Sequence, residues 1–184
     1  MAYTTLERCR AILKITSTAD NDLIEDAIAE AQDAIDQWCG RTFEASADTT
    51  RYFDSSAIKG ATLTIDELAQ VTSVIVAGQT LDPTSYRLEP RNEIPYTSIR
   101  LLNGGSWNVG LDDEVAIAGR WAYSVESPKT ITRAATRLAC YYYKMAIEAP
   151  LMDVVANPEM GTVTIAKGIP NDVRMLLQNL RRII

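Results

Sequence analysis

The spacing of hydrophobic residues changes twice along the chain. From Thr4 to Gly40 apolar positions recur every three or four residues, from residue 49 to 123 they alternate, and from Ser127 the helical spacing returns. In the first stretch, "YTTLERCRAILKI" places Leu6, Cys9, Ile12 and Leu13 at helical intervals. Thr4 with Glu7 has the spacing of a capping box, in which two side chains satisfy two orphan amide donors. The polar "TSTAD" then leads into "NDLIEDAIAEAQDAIDQWCG", where Leu23, Ile24, Ala27, Ile28, Ala31, Ala34, Ile35 and Trp38 predict one apolar stripe. Asp20 suits the N-cap and Gly40 the residue just past the C-terminus. Two helices joined by so short a link should pack as an antiparallel or angled pair.

The middle stretch alternates instead. "TTRYFDS", "TLTID", "VTSVIVAG", "SYRLEP", "YTSIRLL" and "EVAIAGRWAY" predict about six short strands, punctuated by Gly, Pro, Asn and Asp. "LTIDELAQVTSV" has room for one helical turn in place of continuous strand. Trp121, alternating with Val115 and Ile117, is expected in the core.

Ser127 and Pro128 open a third helix as N-cap and first helical residue. Its stripe runs through Ile131, Ala134, Ala135, Leu138, Ala139 and Tyr142, and Glu148-Ala149-Pro150 ends it. "LMDVVANPEMG" reads as a loop, "TVTIAKG" as a short strand or arm, and "IPNDVRMLLQNLRRII" as a closing helix with Val173, Leu176, Leu177 and Leu180 on one side. The predicted fold is α+β. A helical core of two N-terminal helices, one long helix and one C-terminal helix (1–44 and 126–184) carries an inserted small antiparallel β-sandwich or barrel at 45–125.

Tyr141, Tyr142 and Tyr143 are three rings in a row, and about 100° per residue cannot turn all three into one core. A surplus tyrosine suits an interface, where a large ring with a polar tip is favoured.

Charge sharpens the picture. The net charge is −6, but residues 20–48 hold nine acids against Arg41 alone, and residues 128–184 hold eight bases against four acids. Either these are solvated helix faces, or two complementary surfaces meet within one chain or between copies. The overall acidity speaks against sequence-specific DNA binding, though an acidic lining would let duplex DNA slide past. Histidine is absent from the sequence, which removes His-dependent triads and His metal ligands. Cys9, Cys39 and Cys140 form no C-x-x-C pair and read as reduced thiols. No apolar signal region is visible at the N-terminus and no stretch has the ~20 apolar residues of a membrane span.

Three blocks, taken together and in order, resemble the head–tail connector (adaptor) proteins of tailed bacteriophages. They are "TTLERCRAILKI…DNDLIEDAIAEAQDAIDQWCGRTF", the β-rich middle from "TRYFD" to "VAIAGRWAYS", and "GIPNDVRMLLQNLRRII" with its Pro-x-x-Val-x-x-Leu-Leu pattern and arginine pair. The longer members of that family carry a β-rich insertion before the third helix.

The resemblance implies a non-catalytic ring without cofactors, usually of twelve copies. Such a ring sits below the portal, receives a stopper or tail-completion protein on its other face, and lets double-stranded DNA pass. It would belong to the virion neck and assemble in the host cytoplasm. The resemblance places portal contact in the C-terminal segment, here Arg174, Leu177, Arg181, Arg182, Ile183 and Ile184. Contacts between copies are expected at Asp33, Asp36, Arg133, Arg137, Tyr141, Tyr143 and Lys144. A different reading is a β-module that stacks carbohydrate or a host surface on Trp107 and Trp121; a hydrolase using carboxylates alone is more distant.

Overall fold

A computed structural model describes residues 2–109, 115–148, 154–157, 161–164 and 168–182. Contacts divide the chain into two compact units, Thr42–Ser127 and Ala2–Arg41 together with the chain from Pro128 onward. Among the described residues, four helices and two four-stranded antiparallel sheets make the fold α+β, as the alternation of periods predicts.

The helical unit contains α1 (Leu6–Leu13), α2 (Asn21–Cys39), α3 (Lys129–Glu148) and α4 (Asn171–Leu177), the last continued by a single 3₁₀ turn, Gln178–Leu180. The strongest packing is of α2 on α3, and α1 and α4 also pack on α3. Alanines dominate that seam: Ala27 and Ala31 on α2 and Ala134, Ala135 and Ala139 on α3 are buried with Ile24, Ile28, Ile35, Ile131 and Leu138. Asp36 and Thr136 both meet the N-terminal Tyr3-Thr4, while Asp20 at the other end of α2 meets Tyr143, so α2 and α3 run antiparallel.

The predicted N-caps of α1 and α2 have been diverted to this packing, and the Oγ of Ser127, predicted to cap α3, is buried with no hydrogen-bond partner among the described residues. Thr4 is buried and its hydroxyl hydrogen-bonds to Thr136 at 2.7 Å. Thr5 caps α1 instead, accepting from the Arg8 amide at 3.3 Å. Asp20 makes no cap bond; its Oδ2 accepts the Tyr143 hydroxyl at 3.1 Å. Gly40 does close α2 as expected, at φ 65°, with its N–H on Asp36 O at 2.8 Å.

The β unit consists of β1 (Thr49–Phe53), β2 (Ile58–Lys59), β3 (Thr62–Leu68), β4 (Gln70–Val76), β5 (Gln79–Thr80), β6 (Tyr86–Glu89), β7 (Tyr96–Leu101) and β8 (Val115–Arg120). One sheet has the order β1-β8-β4-β5 and the other β2-β3-β7-β6. β3 and β4 are separated only by Ala69, so the chain crosses between sheets with no loop, and "LTIDELAQVTSV" holds no helical turn. Leu63, Ile65, Leu68, Ile99 and Leu101 from one sheet share a core with Val74, Val115, Ile117 and Trp121 from the other, the arrangement of a sandwich. The chain enters and leaves this unit side by side. Tyr123 N–H donates to Thr42 O at 2.9 Å, Ser124 bonds Phe43 O, and the Phe43 and Tyr123 rings meet edge to face at 5.6 Å. Beyond α3, β9 (Val154–Asn157) and β10 (Gly161–Thr164) form an antiparallel hairpin. A strand therefore replaces part of the expected loop, consistent with the β-branched Val154-Val155 pair.

Gly119 marks the tightest point of the sandwich. β4 changes register against β8 between Val71 and Ser73, and a Cβ on Gly119 would lie 2.3 Å from Gln70 O and 2.9 Å from Leu68 Cδ1. The first obstacle is backbone, which cannot swing away as a side chain does. Gly119→Ala is expected to destabilise the β unit by about 3 kcal/mol, the upper part of the overpacking range. Urea titration followed by tryptophan fluorescence would detect this, since two of the three tryptophans lie in that unit.

Candidate functional site

The tyrosine run on α3 resolves differently from the predicted stripe. Tyr143 is the core ring, only 6% exposed, whereas Tyr141 and Tyr142 are half-buried with ring centroids 5.9 Å apart. Burial, the hydrogen bond to Asp20 and the charge of that carboxylate all raise the Tyr143 phenol above its ordinary pKa. The reason lies in the seam: Ala139 faces α2, and the residue one turn further on is Tyr143. Tyr143, expected at a contact between copies, is thus covered by its own chain. Asp36 is half-buried, and its Oδ1 accepts the Tyr3 hydroxyl at 2.6 Å.

Arg133, Arg137, Tyr141 and Lys144 do come together. With Ile12 and Leu13 of α1 and Pro170, Asp172 and Val173 at the start of α4, they line an open groove of about 620 Å³. A second hollow of about 490 Å³ shares Ile12 and Arg133 with it and adds Arg8, Lys129, Thr132 and Thr136. The two make one trough with an apolar floor and a cationic wall. Asp172 pairs with Arg137 across it. Ile12, 57% exposed, is the apolar residue common to both hollows.

Asp33 lies elsewhere. It borders a smaller groove of about 350 Å³ between α2 and the N-terminal segment, with Leu6, Glu25, Ile28 and Ala29. Asp22, Asp26 and Glu30 continue the exposed acidic face of α2, and Leu23 stands 46% exposed among them. The helical spacing predicts Leu23 for the core stripe, but adjacent Leu23 and Ile24 cannot both face α3, and Ile24 occupies the seam.

The C-terminal residues converge on the end of α2. Leu177 is fully buried within its own chain. Arg174 and Arg181 each place a guanidinium 5.0 Å from the centre of the Trp38 ring, and the Arg182 amide donates to Cys39 O at 2.8 Å. All three arginines expected to contact the portal are therefore held first by their own chain, a signal hidden in Trp38, which the periodicity assigns to the core stripe. Ile183 and Ile184 lie outside the described residues. Burial pushes the neighbouring Cys39 thiol up to about 11.

In the β unit, Trp107 and Trp121 are buried and their indole N–H groups donate to Ala61 O and Thr49 O at 3.0 and 2.9 Å. Neither ring presents a stacking platform. Among the described residues no group of three His, Cys, Asp or Glu could hold a metal, and no helix is long and apolar enough to cross a membrane.

A family model described as head completion protein (HCP) matches residues 2–183. The chain belongs to the head completion protein family. Membership spans both units, the inserted sandwich as well as the helices. By sequence, no curated protein matches it. Among solved structures, this head completion protein is similar to a chain from the neck of the empty gene transfer agent (GTA) particle computed with C6 symmetry. The TM-score is 0.66 at 17% identity, covering 97% of this chain and 89% of that one. It is similar also to a chain from the neck of the native GTA particle computed with C12 symmetry (TM-score 0.61, 17% identity, 97% and 88% covered). A third match comes from the virion of the native particle (TM-score 0.59, 16% identity, 97% and 88% covered). At these identities the likeness is one of fold.

Two measurements test the C-terminal anchor. Trp38 Nε1 is buried and finds no acceptor among the described residues. Trp38→Phe, which keeps a ring under both arginines and removes that orphan donor, is expected to cost less than about 1 kcal/mol, against about 3 kcal/mol for Trp38→Ala. Thermal denaturation separates the two. The Cys39 thiol stays protonated in the folded chain above pH 9, where an unfolded thiol ionises. Its contribution is therefore complete below pH 9 and is lost as pH rises towards about 11. Stability measured over that range should fall more steeply in the wild type than in Cys39→Ala, by on the order of 2–3 kcal/mol in total.

Proposed function

We propose that this head completion protein is a structural part of the neck of a tailed-phage-like virion: an adaptor ring that joins the portal to the stopper or tail-completion protein and surrounds the outgoing double-stranded DNA. The observation that carries the reading is the family match over residues 2–183. The shared fold with chains from GTA necks supports it, and one of those necks was computed with C12 symmetry, in keeping with twelve copies. The reading is of a non-catalytic component, present in the virion after assembly in the host cytoplasm. The sandwich is not read as a carbohydrate module, because Trp107 and Trp121 are spent on the core.

In this reading the C-terminal segment reaches the portal. The anchor at Trp38 and Cys39 fixes where the chain departs from α2, and Arg174, Arg181 and Arg182 surround that point. In sequence Ile183 and Ile184 follow Arg182, a short hydrophobic motif with basic residues before it. Duplex DNA passes without being read, since the protein's charge is net negative.

The test is binding of the full chain to purified portal of the same virion. Ile183→Asp with Ile184→Asp should leave the melting temperature unchanged and abolish portal binding. Portal binding at wild-type strength by that double variant would contradict the assignment of the segment.

A further inference from the structure

We infer that the basic trough of α1, α3 and α4 seats the acidic face of α2 from a second copy of the chain. The inference rests on the neck reading for its biological sense, though its geometry stands apart from it.

The two surfaces match in pitch. Lys129, Arg133, Arg137 and Tyr141 lie on one row of α3, four residues apart, with Lys144 just beyond. Each step advances about 6 Å, and the row spans about 22 Å. Asp22, Asp26 and Glu30 keep the same step on α2 and Asp33 follows three residues on, a row about 16 Å long. Acidic ridges and cationic ridges of equal spacing can align charge against charge along a shared axis.

They match also in apolar content. The trough floor is Ile12, Leu13 and Val173, and among the α2 acids projects Leu23, 46% exposed. A phosphate backbone would have no use for that floor, whereas an acidic helix with one leucine among its acids would cover it. No acid of α2 lines the trough, and no base of α3 lines the groove beside Asp33. The surfaces are therefore distinct patches on each copy. Contact between them is heterologous, head to tail, the kind that closes into a ring when the rotation allows.

The charges to be changed can be chosen without touching the fold. Asp22 sits in the first turn of α2 and Arg137 is paired with Asp172, so both are left alone. One variant carries Asp26→Lys, Glu30→Lys and Asp33→Lys; the other carries Lys129→Glu, Arg133→Glu and Lys144→Glu. A control carries Lys59→Glu and Arg100→Glu on exposed positions of the β unit. Self-association of the full chain is followed by sedimentation velocity up to high concentration at low salt, with circular dichroism to confirm folding.

Wild type and control should associate in a concentration- and salt-dependent way. Each variant alone should need roughly tenfold more protein or fail to associate. An equal mixture of the two should recover association, since one then offers two basic faces and the other two acidic ones. Unchanged association in either variant, no recovery in the mixture, or a wild type that stays monomeric throughout would overturn the inference. So would tight, salt-sensitive binding of duplex DNA lost only in the Lys129, Arg133 and Lys144 variant. Portal binding is measured on the same samples. A variant that binds portal while self-association is unchanged contradicts this contact alone; loss of portal binding by the Ile183 and Ile184 variant is decided separately.

Discussion

The close approach of α2 to α3 is the constraint from which the rest of the helical unit follows. Alanines on both helices bring the backbones near, and the isoleucines and Leu138 fill the space on either side. A seam of alanines and branched aliphatic side chains excludes long charged ones, which lie on the outer face of each helix. The acids of α2 and the bases of α3 are therefore arranged in rows by the packing itself. The polar groups drawn into the seam, Thr4, Thr136, Asp20 and Tyr143, are paired with one another, as buried polar groups must be.

The sandwich is inserted in the chain between α2 and α3. Its two ends lie side by side and are joined through Thr42, Phe43, Tyr123 and Ser124. Its core is drawn from both sheets, with the two buried tryptophans bonded to main-chain carbonyls. A unit closed at its entry and exit and filled from within can be carried as a structured body of its own.

Much of this fold was legible because its periods are clean. The two N-terminal helices, the six longer strands and the long third helix follow from spacing alone, and β2 and β5 escaped notice because two residues carry no period. What the periodicity misplaced was the assignment of individual residues within a correct element. Tyr142 and Tyr143 differ by one position, and which one enters the core depends on where α2 crosses, a tertiary fact. Leu23 was put in the core beside Ile24 for the same reason. Thr4 and Asp20 look like caps, but their hydroxyl and carboxylate are worth more across the seam. Among the expected interaction residues, Arg133, Arg137, Tyr141 and Lys144 do share one trough. Asp36, Tyr143 and Leu177 are used internally, and the stacking of Arg174 and Arg181 on Trp38 had no local signature, since it joins positions far apart in sequence.

The helical unit presents two oppositely charged surfaces and holds the Arg181–Arg182 segment against the end of α2. The most direct test is zero-length carbodiimide cross-linking of the assembled neck, prepared from a mixture of isotopically light and heavy chains and mapped by mass spectrometry. The account predicts light-to-heavy links from Lys129 or Lys144 to Asp26, Glu30 or Asp33. Links from these lysines only to acids outside α2, with the α2 acids joined to none of the trough lysines, would contradict it.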